Sequence, residues 1–156
     1  MKKTIMLLAL VILTIGLKNI SYGSGSSYHS GSGVNNNLGQ RVLSLYDQGM
    51  EATRSNNFQM ALGLFDQALK EDPKNPDILN MLAHSQRKVG KTDEAIANYK
   101  KALDLRPHFP EAREYLGEAY LQAASQEVGI LKSYGESGKE QLEDLAEAFK
   151  NAVKNL

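Results

Sequence analysis

The chain has 156 residues, 18 basic and 18 acidic side chains, a formal net charge of +0 and no cysteine. The absence of cysteine removes disulfides, thiolate metal sites, iron–sulfur clusters and thiol nucleophiles together. The balanced charge lacks the basic excess of a general nucleic-acid binder, and the length allows one compact domain.

Charge and hydropathy divide the N-terminal part from the rest. Residues 1–23 hold Lys2, Lys3 and Lys18 and no acid. Without them, 15 basic and 18 acidic groups leave a net charge of −3. Lys2-Lys3 precedes an apolar run from Ile5 to Leu17, broken only by Thr14 and Gly16. This run is short for a membrane span, which needs about 20 apolar residues, and has the length of a signal-peptide core. Ser21-Tyr22-Gly23 supplies small residues before a cut at Gly23/Ser24. The expectation is therefore a signal peptide over 1–23 and a periplasmic or secreted protein, with an uncleaved membrane anchor as the alternative. Ser24 to Gly39 is Gly/Ser/Asn-rich and carries too little apolar surface to order itself, so 24–40 is read as a flexible linker.

The remainder, 41–156, is organised by an internal repeat. The shift that puts Leu45 on Leu79 also puts Ala61 on Ala95, Phe65 on Tyr99, Ala68 on Ala102 and Pro73 on Pro107. A second shift by the same period brings Pro76 onto Pro110 and Leu82 onto Leu116, while Gly49, Ala83 and Gly117 share one small-residue position. Local signals predict paired helices. The first pair is one helix near 41–54, a turn at Ser55-Asn56-Asn57, and a second helix near 58–71. Asn75 is a cap followed by Pro76 at the first helical position, and Gly90 closes that helix. Thr92 or Asp93 would cap the next helix, which Arg106-Pro107 ends. The apolar face of one such unit cannot be buried alone, so stacked units must share a core.

The third unit starts with Pro110, Leu116, Gly117 and Tyr120 but lacks the Ala/aromatic/Ala set at the expected place, where Gly129 stands. A helix over 123–134, a turn at Gly135-Glu136-Ser137-Gly138 and an amphipathic helix carrying Leu142, Leu145, Ala146, Phe149 and Val153 follow.

These motifs resemble the tetratricopeptide repeat family. The set Leu45, Gly49, Ala52, Ala61, Phe65, Ala68 and Pro73 and the set Leu79, Leu82-Ala83, Gly90, Ala95, Tyr99, Ala102 and Pro107 carry the resemblance. The ending is similar to that of some exported bacterial members. The resemblance implies an all-α fold, a short solenoid with repeats at about 42–75 and 76–109. A degenerate third at 110–134 and a capping helix at 138–155 complete it. It also implies a non-catalytic interaction scaffold whose first helices line a concave groove. Carried over position by position, that groove holds Tyr46, Met50 and Arg54 from unit one. Asn80, His84, Arg87 and Lys88 come from unit two, and Glu114 and Glu118 from unit three. Arg87 and Lys88 would orient acidic groups of a partner, and Glu114 and Glu118 basic ones.

Catalytic alternatives find few parts. Gly31-Ser32-Gly33 lacks the third glycine of a nucleotide-binding loop, and no phosphate-loop or nucleophile-elbow motif is present. Glu111, Glu114 and Glu118 share a helical face and read as a solvated acidic stripe. His29 and His84 have no second metal ligand within reach by sequence. The expectation is no enzyme, no cofactor, no metal and no nucleic acid. The partner would be a protein or peptide segment, expected in the cell envelope. The alternative is a tethered assembly factor or a small accessory subunit of an envelope enzyme complex.

Overall fold

The computed structural model describes residues 36–154. The signal-peptide reading and residues 24–35 of the expected linker lie outside the described residues. The described elements are helices α1 (Asn36–Arg54), α2 (Phe58–Glu71), α3 (Pro76–Lys88), α4 (Thr92–Leu105) and α5 (Pro110–Ser133). A short 3-10 turn (Gly135–Gly138) and α6 (Lys139–Val153) follow. Contacts group the chain into two units, with the boundary between Glu127 and Val128 inside α5.

In the first unit, α1 and α2 form one antiparallel pair and α3 and α4 a second. The helix boundaries follow from local chemistry. Asn75 Oδ1 accepts from the N–H groups of Asp77 and Ile78 at 3.1 and 3.2 Å, satisfying two donors at the start of α3. Asn57 caps α2 in the same way, accepting from the Met60 N–H at 3.2 Å. Asn56 turns the chain with φ +56°, and Gly90 does so with φ +86°, both left-handed conformations that Asn and Gly tolerate.

Three sequence expectations are corrected. The first helix starts at Asn36, inside the stretch read as linker, because Leu38 and Val42 lie one turn apart and Val42 is buried. Neither Thr92 nor Asp93 caps α4. Lys91 stands at the cap without a side-chain bond, and Thr92 is buried with its hydroxyl accepting from Gln126 Nε2 at 3.4 Å. The third unit does not split near 123: α5 runs unbroken to Ser133, because Gly129 interrupts neither its hydrogen bonds nor its φ.

The core consists of two clusters. Phe65 sits between Ala61 and Ala68 and packs with Val42, Ile78, Met81 and Leu82. Gly49 admits that ring: a Cβ there would lie 2.6 Å from Phe65 Cε1. Tyr99, between Ala95 and Ala102, packs with Ala83, Leu103, Phe109, Ala112, Tyr115 and Leu116, which joins α5 to the second pair. Small residues on one helix thus receive a large aromatic from the other, one such exchange per pair. Asp77, at the start of α3, and Arg106, just past the end of α4, close the same end of the second pair through two bonds of 2.8 and 2.6 Å, and Arg106 also covers the Phe109 ring at 4.6 Å.

The second unit contains the end of α5, the turn and α6. Gly135 takes φ +61°. Gly138 is buried where a Cβ would collide with the Leu131 carbonyl oxygen. No residue of α6 is fully buried, and Leu142, Leu145, Ala146 and Phe149 are half-buried. Among the described residues no helix is long and apolar enough to cross a membrane.

Candidate functional site

The first helices α1, α3 and α5 carry equivalent positions, one per repeat: Tyr46, Asn80 and Glu114 form one row, Met50, His84 and Glu118 the next. The expected groove residues divide into three groups by burial. Asn80 and His84 are buried, at 4% and 1% exposure. Tyr46, Met50, Arg87 and Glu118 are half-buried. Arg54, Lys88 and Glu114 are exposed. Asn80 and His84 are therefore corrected from surface contacts to interior groups.

His84 lies between aromatic rings. Its imidazole is 5.1 Å from the Tyr115 ring and 6.0 Å from that of Phe58, centroid to centroid. Burial, helped by the neighbouring cations Arg87 and Lys88, pushes its pKa from 6.5 down to about 3, so the ring is neutral at ordinary pH. Lys88 approaches the Phe58 ring at 5.8 Å. Its ammonium pKa is lowered by burial and then by Arg87.

Arg87 and Glu118 are the second correction. They form a salt bridge between α3 and α5, with side chains only 10% and 27% exposed. Each satisfies the other's charge, so neither is free to select charged groups on a partner. Gln122 Nε2 donates to the Arg87 carbonyl at 3.4 Å, extending the same seam. The Tyr99 hydroxyl also faces Arg87, and burial drives its ionisation well above the usual phenol range.

At the α1 end, Tyr46 packs edge-on against Phe65 at 5.7 Å. Burial, and next the carboxylate of Asp77, raises its pKa to about 12. Arg54 pairs with Glu51 at 3.3 Å on the exposed surface. The surface thus has an apolar end at Tyr46 and Met50, flanked by the cations Arg54 and Lys88, with Glu114 beyond. Sequence reasoning missed Phe58 and the Asp77–Arg106 pair; Tyr115, which the resemblance places along the groove, is buried and packs on His84 instead. The opposite charges of Arg87 and Glu118, on facing first helices of successive repeats, were the available signal for that bridge. Among the described residues no cluster of three or more His, Asp or Glu could hold a metal ion.

Comparison with known proteins agrees with this geometry. A family model described as "Tetratricopeptide repeat" matches residues 64–97 and one described as "TPR repeat" matches 83–123. The chain is 30% identical over 79 residues to the Protein STIP1 homolog of Dictyostelium discoideum, a match covering 51% of this chain and 14% of that protein. It is 33% identical over 79 residues to a TPR repeat-containing protein of Methanocaldococcus jannaschii, covering 51% of this chain and 24% of that protein. The chain thus spans a quarter or less of the length of these curated relatives. Among solved structures it is similar to the first TPR of Spaghetti (RPAP3) bound to the HSP90 peptide SRMEEVD. The TM-score is 0.54 at 18% identity, over 77% of this chain and 99% of that one. A mutant of MamA gives a TM-score of 0.50 at 20% identity, over 72% of this chain and 74% of that one. Tetratricopeptide repeat models thus match residues 64–123 between them, and the all-α fold is similar to that of solved tetratricopeptide domains.

Proposed function

We propose that this chain is an exported, non-catalytic interaction module that holds a segment of another envelope protein against its first helices. The observation that carries this reading is the unclosed end of the row: Tyr46 and Met50 remain half-exposed where their equivalents Asn80 and His84 are sealed. Aromatic and methionine side chains are enriched in interface cores. Arg54 and Lys88 flank them with positive charge that Glu51 only partly offsets, which favours a segment bearing acidic groups next to an apolar anchor. The peptide-bound state of the similar Spaghetti domain supports the class of ligand and not its identity. Export rests on the Lys2-Lys3 start, the apolar run and Ser21-x-Gly23.

The test is affinity capture from envelope extract with mass spectrometry, followed by binding of the identified partner to variants. Tyr46→Ala and Lys88→Glu should weaken capture without loss of helicity. Lys70→Glu, on an exposed residue of α2, should leave it unchanged. A partner that binds all of them equally overturns the assignment of this surface. N-terminal sequencing of the mature protein tests export: Ser24 at the N-terminus is expected, and an intact Met1 in the membrane pellet favours the anchored form.

A further inference from the structure

In the row Tyr46, Asn80, Glu114, one position per first helix, the middle side chain is sealed at 4% exposure. Its Oδ1 is buried and has no hydrogen-bond partner among the described residues. The other inward amides are used. Asn75 caps α3, Asn98 donates to Gln86 at 2.8 Å, Gln122 donates to the Arg87 carbonyl and Gln126 to the Thr92 hydroxyl. Arg87 Nε and the Tyr99 hydroxyl are also unmatched, but they lie together in the seam that Glu118 closes. A buried carbonyl left without a donor costs the fold stability, and an apolar side chain of the same shape would not. The amide at 80 therefore serves something other than the core.

A side-chain amide carries an acceptor and two donors in one plane. A residue in extended conformation turns its own N–H and C=O to the same side and offers the matching pair. A helix has already used both groups within itself. We infer that Asn80 holds the main chain of the partner segment, which crosses the first helices as an extended strand instead of lying along them as a helix. This rests on the groove proposed for the same site. The Asn80 amide turns about its last side-chain bond, a soft torsion, and the segment replaces the groups that cover it in the free chain.

The rest of the row sets what flanks the held residue. Half-exposed Tyr46 receives an apolar side chain on one side, and exposed Glu114 a basic one on the other. Packed helices stand roughly 8–10 Å apart, and an extended chain advances about 3.3 Å per residue. Each flanking side chain thus lies about three residues from the residue that Asn80 holds. The acids that Arg54 and Lys88 favour fall beside the apolar anchor.

The probe is a pool of end-blocked synthetic peptides carrying one Leu, Met or Phe, two Glu and one Lys at varied spacings. The full-length chain selects from the pool, and the best peptide is remade with each backbone N–H methylated in turn. One methyl, about three residues from the apolar side chain, should weaken binding about tenfold, the loss of one main-chain hydrogen bond. Asn80→Leu should weaken the unmethylated peptide by as much, and the same methyl should then cost nothing further. The melting temperature of Asn80→Leu should equal or exceed that of the unaltered chain, because a buried orphan is removed. The methyl scan on the unaltered chain stands whether or not the variant folds. Peptides that need Tyr46 but ignore both Asn80→Leu and every single methyl overturn the main-chain contact and leave the groove standing. A lowered melting temperature with unchanged binding assigns the amide to the fold and overturns it too. A pool from which the unaltered chain and Tyr46→Ala select alike, or select nothing, overturns the groove and this inference together.

Discussion

Truncation of Tyr99 probes the packing rule on which the solenoid depends. The side chain is fully buried, and three of its neighbours, Ala83, Ala95 and Ala112, are alanines with 0% exposure. Alanine methyls on fixed helices cannot move into the vacated space, so relaxation is limited and most of the cavity cost persists. Tyr99→Ala should cost about 3–5 kcal/mol, the range for buried aromatic truncations. For a domain of about a hundred residues this lowers the melting temperature by roughly 12–30 °C. Tyr99→Phe keeps the ring and removes a hydroxyl that has no well-aligned hydrogen bond among the described residues, so its cost should be about 1 kcal/mol or less. Lys101→Ala, two residues on and exposed, should stay within about 0.5 kcal/mol. Thermal unfolding followed by circular dichroism reads all three. A Tyr99→Ala loss no larger than that of Lys101→Ala would refute the argument that the small-residue positions exist to seat this ring.

Three further predictions concern the seam and the helix pairs. His84 is neutral when folded, with a pKa near 3, and ordinary, near 6.5, when unfolded. The unfolded chain then binds the extra proton between those values. Stability should fall as pH drops below 6.5, with the loss complete near 3. His84→Gln should flatten this slope in urea titrations repeated across pH, and an unchanged slope would contradict it. Arg87→Glu sets two acids together in the half-buried bridge with Glu118 and should cost about 3–5 kcal/mol. The exchanged pair Arg87→Glu with Glu118→Arg should recover most of this, and a double variant no more stable than the single would show that the two do not interact. Gly49→Ala forces a methyl 2.6 Å from the Phe65 ring and should cost about 1–3 kcal/mol in chemical unfolding, despite the better helix propensity of alanine.

Much of the fold was legible because it is local and repeated. Asn75, Gly90 and the turn around Asn56 act through a few neighbouring backbone groups, and the Ala61/Phe65/Ala68 and Ala95/Tyr99/Ala102 sets recur at one period. The start of α1 and the continuity of α5 were not legible. Gly/Ser/Asn composition and a glycine at 129 lower helix propensity, but tertiary contacts and uninterrupted backbone bonding outweigh such small preferences. The surface was harder. Asn80 and His84 occupy the same helical face as Tyr46 and Met50, so periodicity assigns them the same exposure. The burial of His84 involves Phe58 and Tyr115, which come from other helices. Arg87 and Glu118 likewise read as two independent charges until the distance between α3 and α5 is known.

The interaction surface is tested most directly in living cells by placing a photo-crosslinking phenylalanine analogue at position 46 or 50, and separately at positions 70 and 101. Discrete adducts with one envelope protein from positions 46 and 50, and none from 70 or 101, are expected if α1 and α3 hold the partner segment. Adducts from 70 or 101 with none from 46 or 50 would put the binding surface on the second helices and contradict the proposed function.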